Sequence, residues 1–397
     1  MKNITILAFN LLLVTITAFS QAKSPQNMAS LIDEQMQFAK EQYKVLAKNV
    51  PPDVMPKSLK NNKVETSDTK WWCSGFFPGS LLYIYEYTQD AEIKAEADRR
   101  LGILEKEKHY TGNHDLGFMM YCSFGNAYRL FKKPEDKKTI DTAAMSLATR
   151  YRPSIKVIQS WNSGKEFKCP IIIDNMMNLE LLCWVSDNGG DAKFKDIAIT
   201  HANTTMETHY RPDYSSWHVL DYDLTTGKID KKVTHQGFAN ESAWARGQAW
   251  GLYGYITMYR FTHDKRYLNL SKNIAAFLLN HPNKTADRIP YWDYNSSDIP
   301  NTYRDASAGS ILASALLELG QYSSKKEKKR YVATAEKILR SLASDAYRAK
   351  LGENGGFLLM HSVGSLPHKS EVDTPLTYAD YYFLEALHRY ENWYLKK

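Results

Sequence analysis

Residues 305–320 read DASAGSILASALLELG. After Asp305 this stretch carries Ala, Ser, Gly, Ile and Leu around nearly every face of a 3.6-residue turn, and its first charge is Glu318. A helix without a wet face is buried on both sides, and its small residues allow neighbouring helices to approach closely. Five other segments share this plan, a polar or aromatic junction leading into an apolar helix: WWCSGFFPGSLLYIYEYT (71–88), HDLGFMMYCSFGNAYRL (114–130), IIIDNMMNLELLCW (171–184), SAWARGQAWGLYGYITMYRFT (242–262) and YADYYFLEALHRYENWYL (378–395). Their junctions fall near Gly75, Asp115, Asp174, Trp244, Asp305 and Asp380.

Between them run helices of a second kind. DKRYLNLSKNIAAFLLNH (264–281) and KKEKKRYVATAEKILRSLAS (325–344) each carry one apolar stripe and a charged opposite face, the pattern of a helix with one side in water. Six inner and six outer helices in alternation predict an all-α chain folded as an α6/α6 barrel. The inner helices would then start at one end, so their junction residues would converge on a single mouth. One stretch breaks the pattern. SSWHVLDYDLTTGKIDKKVTHQG (215–237) alternates around Thr225-Thr226-Gly227 and predicts a small β-hairpin inserted near that mouth. Asp221, Asp223 and Gly227 echo a calcium loop, but the glycine is misplaced and no closing glutamate follows, so the segment reads as a turn and no metal site is expected.

The bulk numbers narrow the function class. The chain has 397 residues, is 43% hydrophobic and 24% charged, and contains 26 Tyr and 9 Trp. Those aromatics suit a large core, and also the flat platforms on which sugar rings stack. The net charge of +7 falls to +6 on loss of Lys2 with the leader described next. Lysine runs such as SSKKEKKR (323–330) look like solvated helix surface, and no basic stripe interleaves with aromatics as nucleic-acid binding requires. Residues 1–20 hold a lysine, an apolar run and a small-x-small ending at Ala18 and Ser20. They read as a secretory signal peptide followed by a single barrel domain over 21–397. Export to the periplasm is expected if the host has two membranes, with no membrane insertion of the mature chain. Cys73, Cys122, Cys169 and Cys183 lack the paired spacing of a zinc site and read as buried thiols. Nothing points to a cofactor, and oligomeric state is not encoded legibly.

The junctions collect an uncommon inventory: Trp72, His114, Asp115, Asp174, His218, Gln236, Trp244, Arg246, Trp250 and Tyr378. Each has a bland reading. Asp115 and Asp174 can cap helices, Arg246 can ion-pair within the barrel, and the tryptophans can be core. Together, two carboxylates with aromatic platforms and His, Gln and Arg donors fit a carbohydrate site for an anionic sugar. HExxH, G-x-S-x-G and Walker motifs are absent. Asp174 follows Ile171-Ile172-Ile173 and precedes an apolar helix, so it is expected both to cap that helix and to serve as an acid whose pKa burial raises.

HQGFANESAWARGQAWGLYG (235–254), with HDLGFMMY (114–121), IIIDNMMNLELLCW and WWCSGFFPG (71–79), resembles glycoside hydrolase family 88, the unsaturated glucuronyl hydrolases. The resemblance runs in order from about Trp71 to the C-terminal helix. It implies an α6/α6 barrel in which Asp174 is the main acid/base and Asp115 its essential neighbour. It also implies that His218, Gln236, Arg246 and Trp250 hold an unsaturated uronate, with His114 beside them and Trp72 and Trp244 lining the mouth. HSVGSLPHKSEVD (361–373) corresponds to a loop that touches the second sugar in some members, bringing in Ser365 and Lys369. The implied activity is removal of the 4,5-unsaturated glucuronyl residue from lyase-generated glycosaminoglycan oligosaccharides. Rival readings are an unsaturated rhamnogalacturonyl hydrolase acting on pectin fragments, a non-catalytic glycan-binding protein, and an inverting glycosidase of saturated sugars.

Overall fold

A computed structural model describes residues 26–396; the expected signal peptide lies outside the described residues. Twelve α-helices alternate between an outer and an inner layer. The outer helices are α1 (Met28–Asn49), α3 (Ala91–Leu104), α5 (Pro134–Ala148), α7 (Lys193–Thr208), α9 (Lys265–Asn280) and α11 (Lys325–Leu342). The inner ones are α2 (Phe76–Thr88), α4 (Asn126–Phe131), α6 (Leu179–Asp187), α8 (Ala245–Thr262), α10 (Ala306–Gln321) and α12 (Thr377–Tyr390). Neighbouring inner segments pack together, α6 mainly on the residues just before α4, and α12 closes the ring by packing on both α10 and α2.

Burial follows the two sequence patterns. Every residue of α10 from Ala306 to Gly320 is buried, whereas α11 buries only Tyr331, Ala335, Ile338, Leu339 and Leu342, one stripe at helical spacing. Outer helices begin with capping side chains at Asn27, Asp90, Asp264 and Ser324, the last in a reciprocal box with Glu327. Inner helices approach closely through glycine. A Cβ on Gly254 would lie 2.4 Å from the Met176 side chain, and one on Gly117 2.5 Å from the Asn178 backbone.

Two inner segments are not simple α-helices. A π-helix, Gly117–Gly125, leads into α4, and a 3-10 turn, Ile173–Met177, precedes α6. Between them Asn178 Oδ1 accepts the Phe118 N–H at 3.0 Å, so the wide turn and the tight turn are tied at the closest approach of the two helices. Widened turns of this kind cluster at functional sites.

The expected hairpin is present as β6 (Val219–Tyr222) and β7 (Ile229–Val233). Asp223 Oδ1 closes its turn by accepting the N–H groups of Thr225 and Thr226, each at 2.9 Å. β5 (Pro170–Ile172) adds a third strand, with Ile172 opposite Val219. Three further hairpins are present: β1 (Met55–Lys60) with β2 (Lys63–Ser67), the short β3 (Tyr151–Arg152) with β4 (Val157–Ile158), and β8 (Ser362–Ser365) with β9 (Ser370–Thr374), the last of which the sequence suggests only as a loop. Their strands are too short or too polar to show the alternating apolar signature that marks a half-buried strand. All four cysteines are free thiols, three buried and Cys122 half-buried. No helix among the described residues is long and apolar enough to cross a membrane.

Candidate active site

The segment before α6 is clamped at both ends. At its start, Ser160 accepts the His114 N–H on its backbone oxygen and the Ile172 N–H on its hydroxyl, each at 2.9 Å. At its end stands the Asn178 bond to Phe118. Asp115 and Asp174 therefore sit on two inner segments locked together before and after them. The sheet brings a third group, because the Ile173 N–H donates to the His218 carbonyl and so sets His218 beside Asp174.

Neither aspartate caps its helix, which corrects the capping half of the sequence reading. No side-chain capping bond is made at the start of the 3-10 turn or of the π-helix. Asp305 shows what a cap looks like here: its carboxylate accepts Ser307 N at 3.0 Å and Ser307 Oγ at 2.5 Å. Asp380 lies one turn inside α12, accepting the Leu358 and Leu359 N–H groups at 2.8 and 3.0 Å.

Freed from capping, the two carboxyls are desolvated. Burial pushes Asp174 up to about 6, against the pull of Arg246, its own backbone N–H and the Trp250 indole N–H. Burial, and then the negative charge of Asp174, push Asp115 up to about 8. Their nearest basic groups are imidazoles. His114 Nε2 is 3.3 Å from Asp115 and His218 Nε2 is 3.7 Å from Asp174, and burial lowers both histidines, His114 to about 3. Both rings are neutral at physiological pH. For His218 the tautomer follows from its partners. Nδ1 accepts the backbone N–H groups of His235 and Gln236 at 3.2 Å, so the proton resides on Nε2 and faces Asp174.

Aromatic rings build the walls and floor. Trp244 stacks on His218 with centroids 4.3 Å apart, and Trp72 packs on Tyr378 at 4.8 Å and on Phe118 at 5.4 Å. Below them Phe118, Trp250 and Tyr382 pack in sequence at 5.1 and 5.3 Å. Tyr378 OH and Asp174 Oδ2 have no hydrogen-bond partner in the protein, which leaves them able to receive a polar ligand.

Arg246 is buried and largely engaged. Nη1 contacts Asp305 at 3.2 Å and the Val363 carbonyl, while Nη2 donates to the Gly364 carbonyl at 2.7 Å and to Gln236 Oε1 at 3.3 Å. It acts mainly as a fixed positive charge, anchoring the β8–β9 hairpin and leaving the Gln236 NH2 free to donate. On that hairpin the Ser365 hydroxyl is 2.7 Å from His368 Nδ1, and Lys369 is exposed at the turn. The structure thus gathers Trp72, His114, Asp115, Asp174, His218, Gln236, Trp244, Arg246 and Trp250 at one end of the barrel, with Ser365 and Lys369 on its rim.

A family model described as Glycosyl Hydrolase Family 88 matches residues 46–394. The chain belongs to glycoside hydrolase family 88. Among its relatives, the unsaturated glucuronyl hydrolase of Formosa agariphila is 43% identical over 358 residues, covering 89% of this chain and 88% of that one. The unsaturated chondroitin disaccharide hydrolase of Streptococcus pyogenes serotype M1 is 35% identical, with 85% of each chain covered. A crystal structure of an unsaturated glucuronyl hydrolase specific for heparin superposes with a TM-score of 0.88 at 44% identity, covering 91% of this chain and 97% of that one.

This family 88 hydrolase also uses residues that sequence reading passed over. Ser160 and Asn178 fix the aspartate segments, and Asp305 and the Val363 and Gly364 carbonyls hold Arg246. His235 stands with its ring 4.4 Å from that of His368. A lone serine or asparagine carries no periodic signal, and a backbone carbonyl carries none at all. Asp305 was visible as a helix junction, but its partnership with Arg246 spans 59 residues.

Proposed function

We propose that this glycoside hydrolase removes the 4,5-unsaturated glucuronyl residue from the non-reducing end of lyase-generated glycosaminoglycan oligosaccharides. Asp174 serves as acid and then base, with Asp115 as its essential neighbour. The observation that carries the reading is the aspartate pair, Asp174 buried and Asp115 half-buried, raised to about 6 and 8, beneath an aromatic mouth backed by Arg246. The names of the family 88 relatives support it.

The chemistry follows from the substrate's enol ether. Protonated Asp174 gives its proton to carbon 4, and the cation that develops at carbon 5 is stabilised by the ring oxygen. Water attacks carbon 5 and loses a proton to the Asp174 carboxylate, regenerating the acid. The hemiketal so formed opens and expels the neighbouring sugar. One carboxyl group cycling between two forms needs a pKa near the working pH. An incoming uronate adds a like charge and raises Asp174 further. His218, donating from Nε2, and Trp250, donating from Nε1, hold the carboxylate form in place. Arg246 offsets the substrate's charge, Gln236 and His114 orient it, and Trp72 and Trp244 line its path.

Identity of 44% to a heparin-specific enzyme, against 35% to a chondroitin disaccharide hydrolase, favours heparin-derived disaccharides as the preferred substrates. Purified protein mixed with unsaturated disaccharides from heparin, chondroitin and hyaluronan tests both parts by loss of the conjugated double bond's ultraviolet absorbance. The expected order places heparin fragments first, with catalytic efficiency falling on the alkaline side as Asp174 loses its proton. No loss with any of the three, alongside tight binding, would replace the enzyme by a glycan-binding protein. Loss with pectin-derived fragments only would make it a rhamnogalacturonyl hydrolase.

A further inference from the structure

At the other end of the barrel, where the inner helices finish, lies a cavity of about 360 Å³, within the range that holds small ligands. The floor of Phe118, Trp250 and Tyr382 separates it from the aspartate pair. Its walls come from α2, α4, α6, α8 and α12, from the π-helix Gly117–Gly125 and from Met177, and are rich in aromatic rings and charges.

Most of those charges are internally balanced. Glu180 accepts from Arg260 Nη2 at 2.9 Å, Glu385 meets Arg389 at 3.4 Å, and Arg129 is held by Glu86 at 2.6 Å. Two cationic donors are left over. Arg260 uses Nε on Glu318 and Nη2 on Glu180, which leaves Nη1 uncommitted. Lys132, at the left-handed end of α4, lies 5.0 Å over the Tyr128 ring and pairs with no carboxylate among the described residues. The half-buried rings of Trp184 and Tyr121, with centroids 5.8 Å apart, line the same cavity as these donors. An indole face with hydrogen-bonding groups at its edge suits a sugar ring, and unbalanced cations select one that carries a negative charge.

We propose that this cavity is a second binding site, separate from the aspartate pair, that takes one acidic sugar ring of the uronate class. Trp184 supplies the stacking face, and Arg260 Nη1 with Lys132 Nζ bind the carboxylate. The site holds its ligand without transforming it, since both of its own carboxylates are committed to arginines. A uronate bound there would sit on the opposite side of the floor from the reaction, so occupancy of the two sites is independent.

The probe is saturated D-glucuronate, which lacks the reactive double bond, with glucose as the neutral control. Titration calorimetry on the mature chain should resolve two classes of glucuronate site. Trp184→Ala and Lys132→Ala should each weaken one class at least threefold, and together at least tenfold. Both variants should turn over an unsaturated disaccharide within twofold of the wild type, and binding to the foot should quench Trp184 fluorescence. If Trp184→Ala lowers the melting temperature, Lys132→Ala, whose side chain is exposed, carries the test alone. A single class of glucuronate site, a second class indifferent to Lys132→Ala, or glucose binding as tightly as glucuronate would each overturn the proposal. Turnover is read separately, so failure here is distinguishable from failure of the proposed reaction.

Discussion

The two ends of the barrel are built by the same inner helices and give their carboxyls different partners. At the foot every carboxylate has a guanidinium: Glu180 and Glu318 share Arg260 at 2.9 Å each, and Glu318 also meets Arg389 at 3.0 Å. Burial alone would strip charge from those arginines, yet the surrounding glutamates hold both above their ordinary range. At the mouth Asp115 and Asp174 face only neutral imidazoles within ion-pair distance, and both carboxyls rise. One end trades charge for rigidity. The other withholds counter-ions, and a carboxyl that can hold its proton near neutral pH is the result.

Removing the proposed proton donor gives the largest expected effect. Asp174→Asn preserves the shape of a side chain that caps nothing, so the fold should stay intact by circular dichroism. Turnover should fall about 10²–10⁴-fold, the usual range for a positioned acid or base. An Asn variant retaining more than a tenth of wild-type turnover would move the chemistry to Asp115. At the foot the same kind of change should leave chemistry alone and strike stability. Glu318→Gln leaves Arg260 and Arg389 short of a partner in a site where Glu318 is 2% exposed. Breaking a buried pair from one side costs about 3–5 kcal/mol. Denaturant titration should show that loss, while kcat per folded molecule is unchanged. A loss of kcat instead would mean that the floor transmits strain between the ends.

The comparison also explains what could be read from the chain. The six inner and six outer helices were legible because burial on all sides and burial on one side leave different periodicities, as in 305–320 against 325–344. The mouth was legible because inner helices starting together must bring their junctions together. The local backbone was not. Asp174 reads as a cap because Asp commonly caps helices, but Asn178 is drawn to the Phe118 N–H and forces a tight turn first. The β8–β9 hairpin is polar and is held by Arg246 rather than by an apolar face. The foot escaped notice for a related reason. Glu180, Glu318, Glu385, Arg260 and Arg389 are scattered over four segments, and each alone looks like surface charge.

An intermediate effect separates stability from function at the mouth. Asp115 has a folded-state pKa of about 8, against about 3.9 in an unfolded chain. Between those values the folded protein binds more protons than the unfolded one, so this group makes stability fall as pH rises, by up to about 1.4 kcal/mol per unit. Asp115→Asn removes that slope. The variant should therefore melt higher than the wild type at pH 8 and differ little at pH 4, while losing most of its turnover. Equal melting temperatures at pH 8 would mean that Asp115 is solvated in the free enzyme, and the contrast between the two ends would weaken accordingly.

The smallest effect belongs to the rim. Lys369 is exposed, adopts a positive φ of 50° at the hairpin turn and makes no ion pair among the described residues. A charge in that setting contributes about 0.2–1 kcal/mol to a contact, and salt screens it. Lys369→Ala should therefore raise KM for a sulfated disaccharide no more than about fivefold, leave kcat unchanged, and lose even that effect in about 0.5 M salt. Lys369→Gly separates the charge from the backbone, because glycine relieves the left-handed conformation without restoring the cation. If Gly and Ala behave alike, the lysine acts through its charge alone. If Gly differs, the turn positions Ser365, and the rim contributes through the geometry that Arg246 anchors from below.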